Sequence, residues 1–388
     1  MKLNRSGDRW WIGGRGYTFG VQGAMPEWWR QWRGPGGRSA PIRGRSAFDR
    51  QYPDGMGAWV LDQANMIERC AQIVGQWTDV RLALELRRRG LWWAPVLLPN
   101  EETNAWAKRG ASVSDGIDLV RSAARELVER VERFGGDPAT AINAVSDFQE
   151  PIWAALRFGI LNADQAVDVA RELFPACAEV MREELPGDPL IASPKLAGST
   201  RKDFDEWGWI GTENDEPGGD SHRWQLLTAS ASGRDVLALN CYGDRSKHRL
   251  EDQYRWTGLP IMITEFSRWI LDPRANRRRW AEFKIMQKST TYPHEDSIGA
   301  SVAAVERDIM HDVEREPWVI GSMIYLWSYH AWNWGRSKRH RAMGYLGHAV
   351  DPTITDRKTY RETRNIGWID GVGRAVERAD KRGKELRA

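Results

Sequence analysis

Cysteine is scarce and scattered. Cys70, Cys177 and Cys241 show no Cys-x-x-Cys spacing, which argues against a disulfide framework and against a structural zinc site. They read as small buried apolar residues. The 7 histidines form no cluster at metal-ligand spacing, so neither a catalytic metal nor any other cofactor is expected. No apolar run reaches the roughly 18 residues of a membrane-spanning segment, so no membrane is expected as a partner. Met1 to Trp10 lacks the apolar stretch of a secretory signal. The expectation is a cytoplasmic protein, or one released or carried on a bacterial or phage particle. No Gly-x-Gly-x-x-Gly follows a predicted strand and no Walker-type loop occurs; Gly13-Gly-Arg-Gly16 precedes the first strand, the wrong side for phosphate binding. An excess of one charge is also missing. A net charge of +3 is too balanced for a dedicated nucleic-acid binder, and the runs Arg277-Arg278-Arg279 and Arg336 to Arg341 read as solvated surface.

Tryptophan, by contrast, is abundant, at 22 residues. Indole is large and its N–H wants a partner, so a core does not need so many. Several fall in pairs or near Gly and Pro: Trp10-Trp11, Trp28-Trp29, Trp92-Trp93, Trp207 with Trp209, and Trp332 with Trp334. Aromatic faces in loops suit the apolar faces of sugar rings; the alternative is an aromatic-rich core.

Short apolar runs bounded by turn residues alternate with helical patterns along the chain. Tyr17 to Gly23 reads as a first strand, and Ala58 to Leu61 as the best place for a second. A helical stripe follows through Ile67, Cys70, Ala71 and Val74, and another helix runs from Asp79 to Arg89. Leu91 to Leu98, Ala141 to Glu150, Leu190 to Ser193, Val236 to Tyr242, Gly258 to Ser267 and Val319 to Trp327 supply further strands. Between them lie helices over 115–134, from Asn162 (a capping-box start with Gln165) toward Glu184, and over 300–313. Continuous apolar strands separated by helices predict a parallel sheet covered on its faces. About eight such units without a linker predict an α/β fold, a (β/α)8 TIM barrel with long βα loops, in one domain over 1–388. Residues 1–16 read as an N-terminal extension, 331–364 as a long loop after strand eight, and 371–388 as a terminal helix. A doubly wound open sheet is the alternative architecture.

Two of the strands stop on an acid: Glu150 after the fourth, Glu265 after the seventh. In a parallel barrel the C-terminal strand ends carry the chemistry. A carboxylate there is costly to bury unless something uses it, a paired arginine being the plain alternative. Two carboxylates on one barrel face are what glycoside hydrolysis needs, one to protonate the leaving oxygen and one to attack the anomeric carbon or activate water. Phe148-Gln-Glu-Pro151 and Ile263-Thr-Glu-Phe266 resemble the paired motifs of the clan A glycoside hydrolases, which are retaining (β/α)8 enzymes. The resemblance implies Glu150 as acid/base and Glu265 as nucleophile. It further implies that Tyr242, in Asn240-Cys-Tyr242, hydrogen-bonds the nucleophile and that Trp327 floors the subsite at the bond cut. Asn365-Ile-Gly-Trp-Ile-Asp370 is similar to a segment after strand eight in several clan members, agarase-type enzymes among them. One departure is Gln149, where the clan usually has an Asn that contacts the sugar 2-hydroxyl. Gln carries the same amide on a longer stem.

Other residues are weighed individually. Trp327 either contacts substrate or closes the barrel core. Trp332 and Asn333, on the loop beyond it, are candidates for substrate contact. Asn100 either binds a hydroxyl or caps the next helix. Lys195, after strand five, either reaches an acidic sugar or pairs with a loop acid. Asp147 shares a side with Gln149 if strand alternation holds. The expected partner is an oligo- or polysaccharide, without nucleic acid or membrane. The rival reading is a carbohydrate-binding or structural barrel, without catalysis, in a phage or cell-surface assembly.

Overall fold

The computed structural model describes residues 2–22, 52–75, 78–195, 221–242, 249–267, 295–324, 327–329, 353–355, 362–364 and 366–388. The chain opens with an antiparallel hairpin, β1 (Leu3–Ser6) and β2 (Arg9–Ile12), turned at Gly7 with φ +56°. The parallel strands follow: β3 (Thr18–Val21), β4 (Ile73–Val74), β5 (Trp92–Trp93), β6 (Val96–Leu98), β7 (Ala144–Phe148), β8 (Leu190–Ile191), β9 (Leu237–Tyr242), β10 (Ile261–Ser267) and β11 (Val319–Ile324).

Their pairings go round in order. β3 pairs with β4 and β4 with β5; β6 pairs with β7 and β7 with β8. The Ala192–Val236 bridge joins β8 to β9; β9 pairs with β10, β10 with β11, and β11 with β3, all parallel. β5 and β6 are one extended segment interrupted at Ala94-Pro95, where proline has no N–H to offer a ladder. This is the strand order of a (β/α)8 barrel.

Side-chain alternation divides the core in two. Ile73, Ala144, Leu190, Val236, Met262 and Ile320 meet inside the ring. Their strand neighbours Val74, Val145, Ile191, Leu237, Ile261 and Val319 face the helices. Ile12 of the hairpin joins the interior cluster, with Leu3 and Trp10 packed against it, while the Trp10 N–H donates to Pro317 O just before β11. The hairpin therefore plugs the N-terminal end of the ring.

Trp59, Trp93, Trp106, Trp224, Trp327 and Trp368 are fully buried, so a good part of the tryptophan content is core. All three cysteines are buried as well. None of the helices among the described residues is long and apolar enough to cross a membrane.

Three expectations need correction. Ala58 to Leu61 is not a strand: it lies in the helix Met56–Ile67, whose buried residues are Trp59, Val60, Gln63, Ala64, Met66 and Ile67. The second strand is the two-residue β4, and the expected helical stripe through Cys70 and Val74 ends at the C-cap Glu68. The terminal helix starts at Ile366 rather than at 371 and runs to Glu385; Asn365 lies outside the described residues. This helix seats directly on the chain before β3: a Cβ on Gly16 would stand 2.0 Å from Asp380 O, and one on Gly383 2.3 Å from Gly16 O. That close approach accounts for Gly16 without any phosphate. Third, the stretch after β11 is not all loop: β12 (Ser328–Tyr329), β13 (Thr353–Thr355) and β14 (Glu362–Arg364) form a small sheet.

Candidate active site

Glu265 sits near the C-terminal end of β10, with 4% of its surface exposed. The apolar run before it is buried on both faces, so the chain reaches the acid without leaving the ring. Pairing with both neighbours slips just before it: β9 between Ile263 and Glu265, β11 between Ile263 and Phe266. A bulge of this kind breaks alternation and re-aims a side chain. Thr264 lines the ring interior and donates to Asn240 Oδ1 at 3.1 Å, while the next residue, Glu265, also faces inward. Phe266 then returns to the helix side, in edge contact with Phe19.

Glu150 follows β7 in the left-handed region, φ 54°, and stands at the N-cap of the helix Pro151–Arg157. For a residue with a Cβ this conformation is strained by on the order of 1–2 kcal/mol. It is held by the Glu150 N–H, which donates to Lys195 O at 3.0 Å, and by Pro151, whose fixed φ starts the helix. Alternation fails here too. Asp147 faces the helix layer, paired with Arg234 at 2.7 Å, whereas Gln149 faces the ring, so the two do not share a side.

Each acid receives an amide donor from a strand carrying the other's neighbours. Gln149 Nε2, beside Glu150, donates to Glu265 Oε1 at 3.0 Å. Asn240 Nδ2, on β9 opposite Glu265, donates to Glu150 Oε1 at 2.9 Å. A carboxylate cannot donate, so the Gln149 amide must turn its nitrogen to Glu265. Its Oε1 is left buried without a hydrogen-bond partner among the described residues.

Lys195 binds the two halves. Its backbone bridges Gln149, its N–H donates to Phe148 O, and its ammonium lies 3.9 Å from Glu265 Oε1 with 3% exposure. The acid beside it stands on a strand rather than in a loop. Burial lowers its pKa to about 8 while Glu265 and Glu150 pull it upward. In the unfolded chain the amine holds its proton to the ordinary 10.5. The buried cation therefore destabilises the fold below pH 8, and that penalty is relieved as pH rises toward 10.5. The stability of the protein relative to a Lys195→Met variant should thus increase by about 3 kcal/mol across that window, read from urea melts at a series of pH values. A difference that stays flat with pH would refute the burial of the charge.

The remaining candidates are placed as follows. Trp327 is fully buried, its indole N–H donating to Gln63 Oε1 at 2.8 Å. Asn100 is exposed, the first residue of the helix Asn100–Lys108; Pro99 is the N-cap, so Asn100 does not cap it. Tyr242 ends β9, and its side chain lies outside the described residues, as do Trp332 and Asn333. One further polar residue stands beside Lys195 and Thr264. Gln22, at the end of strand one and 0% exposed, lines a cavity of about 30 Å³ with Lys195 and Thr264, and its Oε1 has no hydrogen-bond partner among the described residues. The signal was present: a polar residue closing the first apolar run, as Glu150 and Glu265 close theirs.

No protein-family model matches the chain, and no curated protein matches it. Solved structures do. An agarase, AgWH50C, superposes with a TM-score of 0.59 and 12% identity, over 98% of this chain and 63% of that one. An exo-beta-agarase gives 0.53 and 12%, over 87% and 49%. PfGH50B gives 0.55 and 12%, over 98% and 66%. The chain thus spans 63% and 49% of the length of the first two. At this identity the likeness is one of architecture, and the chain is built on the fold these proteins share.

Proposed function

We propose that the chain is a glycoside hydrolase that cleaves a polysaccharide with retention of configuration, Glu265 acting as nucleophile and Glu150 as acid/base. The observation that carries this is the cross-bracing of two strand-end glutamates around one buried ammonium. In the first step a Glu265 oxygen attacks the anomeric carbon as the glycosidic C–O bond breaks, and Glu150 gives its proton to the departing oxygen. In the second, Glu150 takes a proton from water, whose oxygen attacks the same carbon and releases the Glu265 carboxylate. The buried acceptor Gln149 Oε1 suits a sugar hydroxyl, the role an Asn plays in the clan A motif. Agarases share the fold, which makes galactan chains the first substrates to try.

The test is a polysaccharide panel with product sizes by mass spectrometry and the first-formed anomer by proton NMR. Shortened chains bearing the substrate's own anomeric configuration are expected. Products of inverted configuration would remove the double-displacement reading. The rival, a barrel that binds sugar without cutting it, is favoured by one contact: the Gln149 nitrogen is engaged by Glu265 instead of being open to substrate. Glycan binding without any turnover would decide for it.

A further inference from the structure

Lys195 is more deeply placed than a surface cation and more weakly held than a structural one. It is 3% exposed, and its ammonium makes no hydrogen bond among the described residues, the Glu265 oxygen at 3.9 Å lying beyond hydrogen-bond range. Apart from the two glutamates, its surroundings do not reward a charge. The cavity it lines is otherwise formed by neutral Gln22, Ser146 and Thr264 and by apolar groups such as Met262 and Met323. Were the role only to fill space, an apolar side chain of similar volume would serve better, because replacing a buried ion in this way is often neutral or stabilising. The charged groups acting on it among the described residues are Glu265 on β10 and Glu150 after β7.

We propose that Lys195 is a positioning residue for the carboxylate pair, one buried cation balanced by Glu265 before glycosyl transfer and by Glu150 after it. The inference rests on the roles assigned above. Before the first step Glu265 carries the negative charge and Glu150 the proton. Once Glu265 is esterified it is neutral, and Glu150, having given up its proton, carries the charge instead. Release of the ester restores the first state. The ammonium thus faces one carboxylate at each stage, and charge moves between two oxygens already in its field. Its backbone strengthens the arrangement, since Lys195 O accepts the N–H of Glu150 and fixes that residue's strained turn.

Two consequences separate this from a packing role. Turnover should fall on the alkaline side as the amine, whose pKa burial lowers to about 8, gives up its proton. Being an amine ionisation, that limb should move to lower pH on warming, which a carboxyl limb would not. The experiment measures kcat and KM against pH at two temperatures, on whichever polysaccharide the protein degrades, for the wild type and Lys195→Met. The expected result is a temperature-sensitive alkaline limb in the wild type. The variant should lose about 100-fold or more in kcat, with KM within about threefold and no such limb. A variant with wild-type kcat and pH profile, or a wild-type limb insensitive to temperature, overturns the inference while leaving the hydrolase assignment standing. If the wild type degrades no glycan of the panel, the assignment itself falls and this inference with it.

Discussion

Glu265→Gln should lower hydrolysis by on the order of 10⁴-fold or more, about 5 kcal/mol of transition-state stabilisation, with circular dichroism close to wild type. The amide keeps an oxygen where Glu265 Oε1 accepts from Gln149, so the local packing survives while the nucleophile does not. Glu150→Gln should cost about 10²–10⁴-fold on a polysaccharide, whose leaving oxygen needs a proton, and much less on an aryl glycoside with a good leaving group. The two losses therefore differ in kind as well as size. Truncating Glu265 to Gly leaves room for azide beside the anomeric carbon. Added azide should restore part of the rate and give a glycosyl azide of the anomeric configuration opposite to the substrate. Near-normal activity in either Gln variant would sink the pair.

The acids were legible because their signal is local. In the sequence each closes a short apolar run, a pattern visible within ten residues, and the structure places Glu150 two residues after β7 and Glu265 two residues before the end of β10. β4 was not legible, because two residues, Ile73 and Val74, carry no periodicity, and the neighbouring Trp59 and Val60 looked more strand-like than the strand itself. Nor was the slip at Thr264-Glu265 legible, since a one-residue bulge leaves the same composition as a regular strand while turning both side chains inward. The same limit applies to Asp147, which alternation would put on the side of Gln149: the two face opposite ways because the pattern breaks between them. Lys195 stayed open between two partners for a different reason. Its acid, Glu265, is remote in sequence and meets it only when β8 and β10 take their places in the ring.

Arg234 and Asp147 should prove the most consequential pair for stability. Both side chains are 0% exposed and meet at 2.7 Å. Arg234 also donates to Ala192 O at 3.0 Å and Phe174 O at 2.6 Å, and Asp147 accepts the N–H of Phe148 at 2.9 Å. One guanidinium therefore ties the end of β8 to the helix Ala163–Glu184 and, through Asp147, to β7, the strand that leads into Gln149 and Glu150. Arg234→Met removes the cation and leaves Asp147 buried without its counter-charge, which should cost about 3–5 kcal/mol in urea unfolding. Adding Asp147→Leu to that variant removes the stranded charge and should recover much of the loss, because two apolar groups of similar volume carry no desolvation penalty. Activity is expected to follow a different course. The double variant regains stability but neither the bonds to Ala192 and Phe174 nor the tie through Asp147, so β7 is less firmly held and kcat should stay below wild type. A single Arg234→Met variant destabilised by less than about 1 kcal/mol would mean that water reaches the pair.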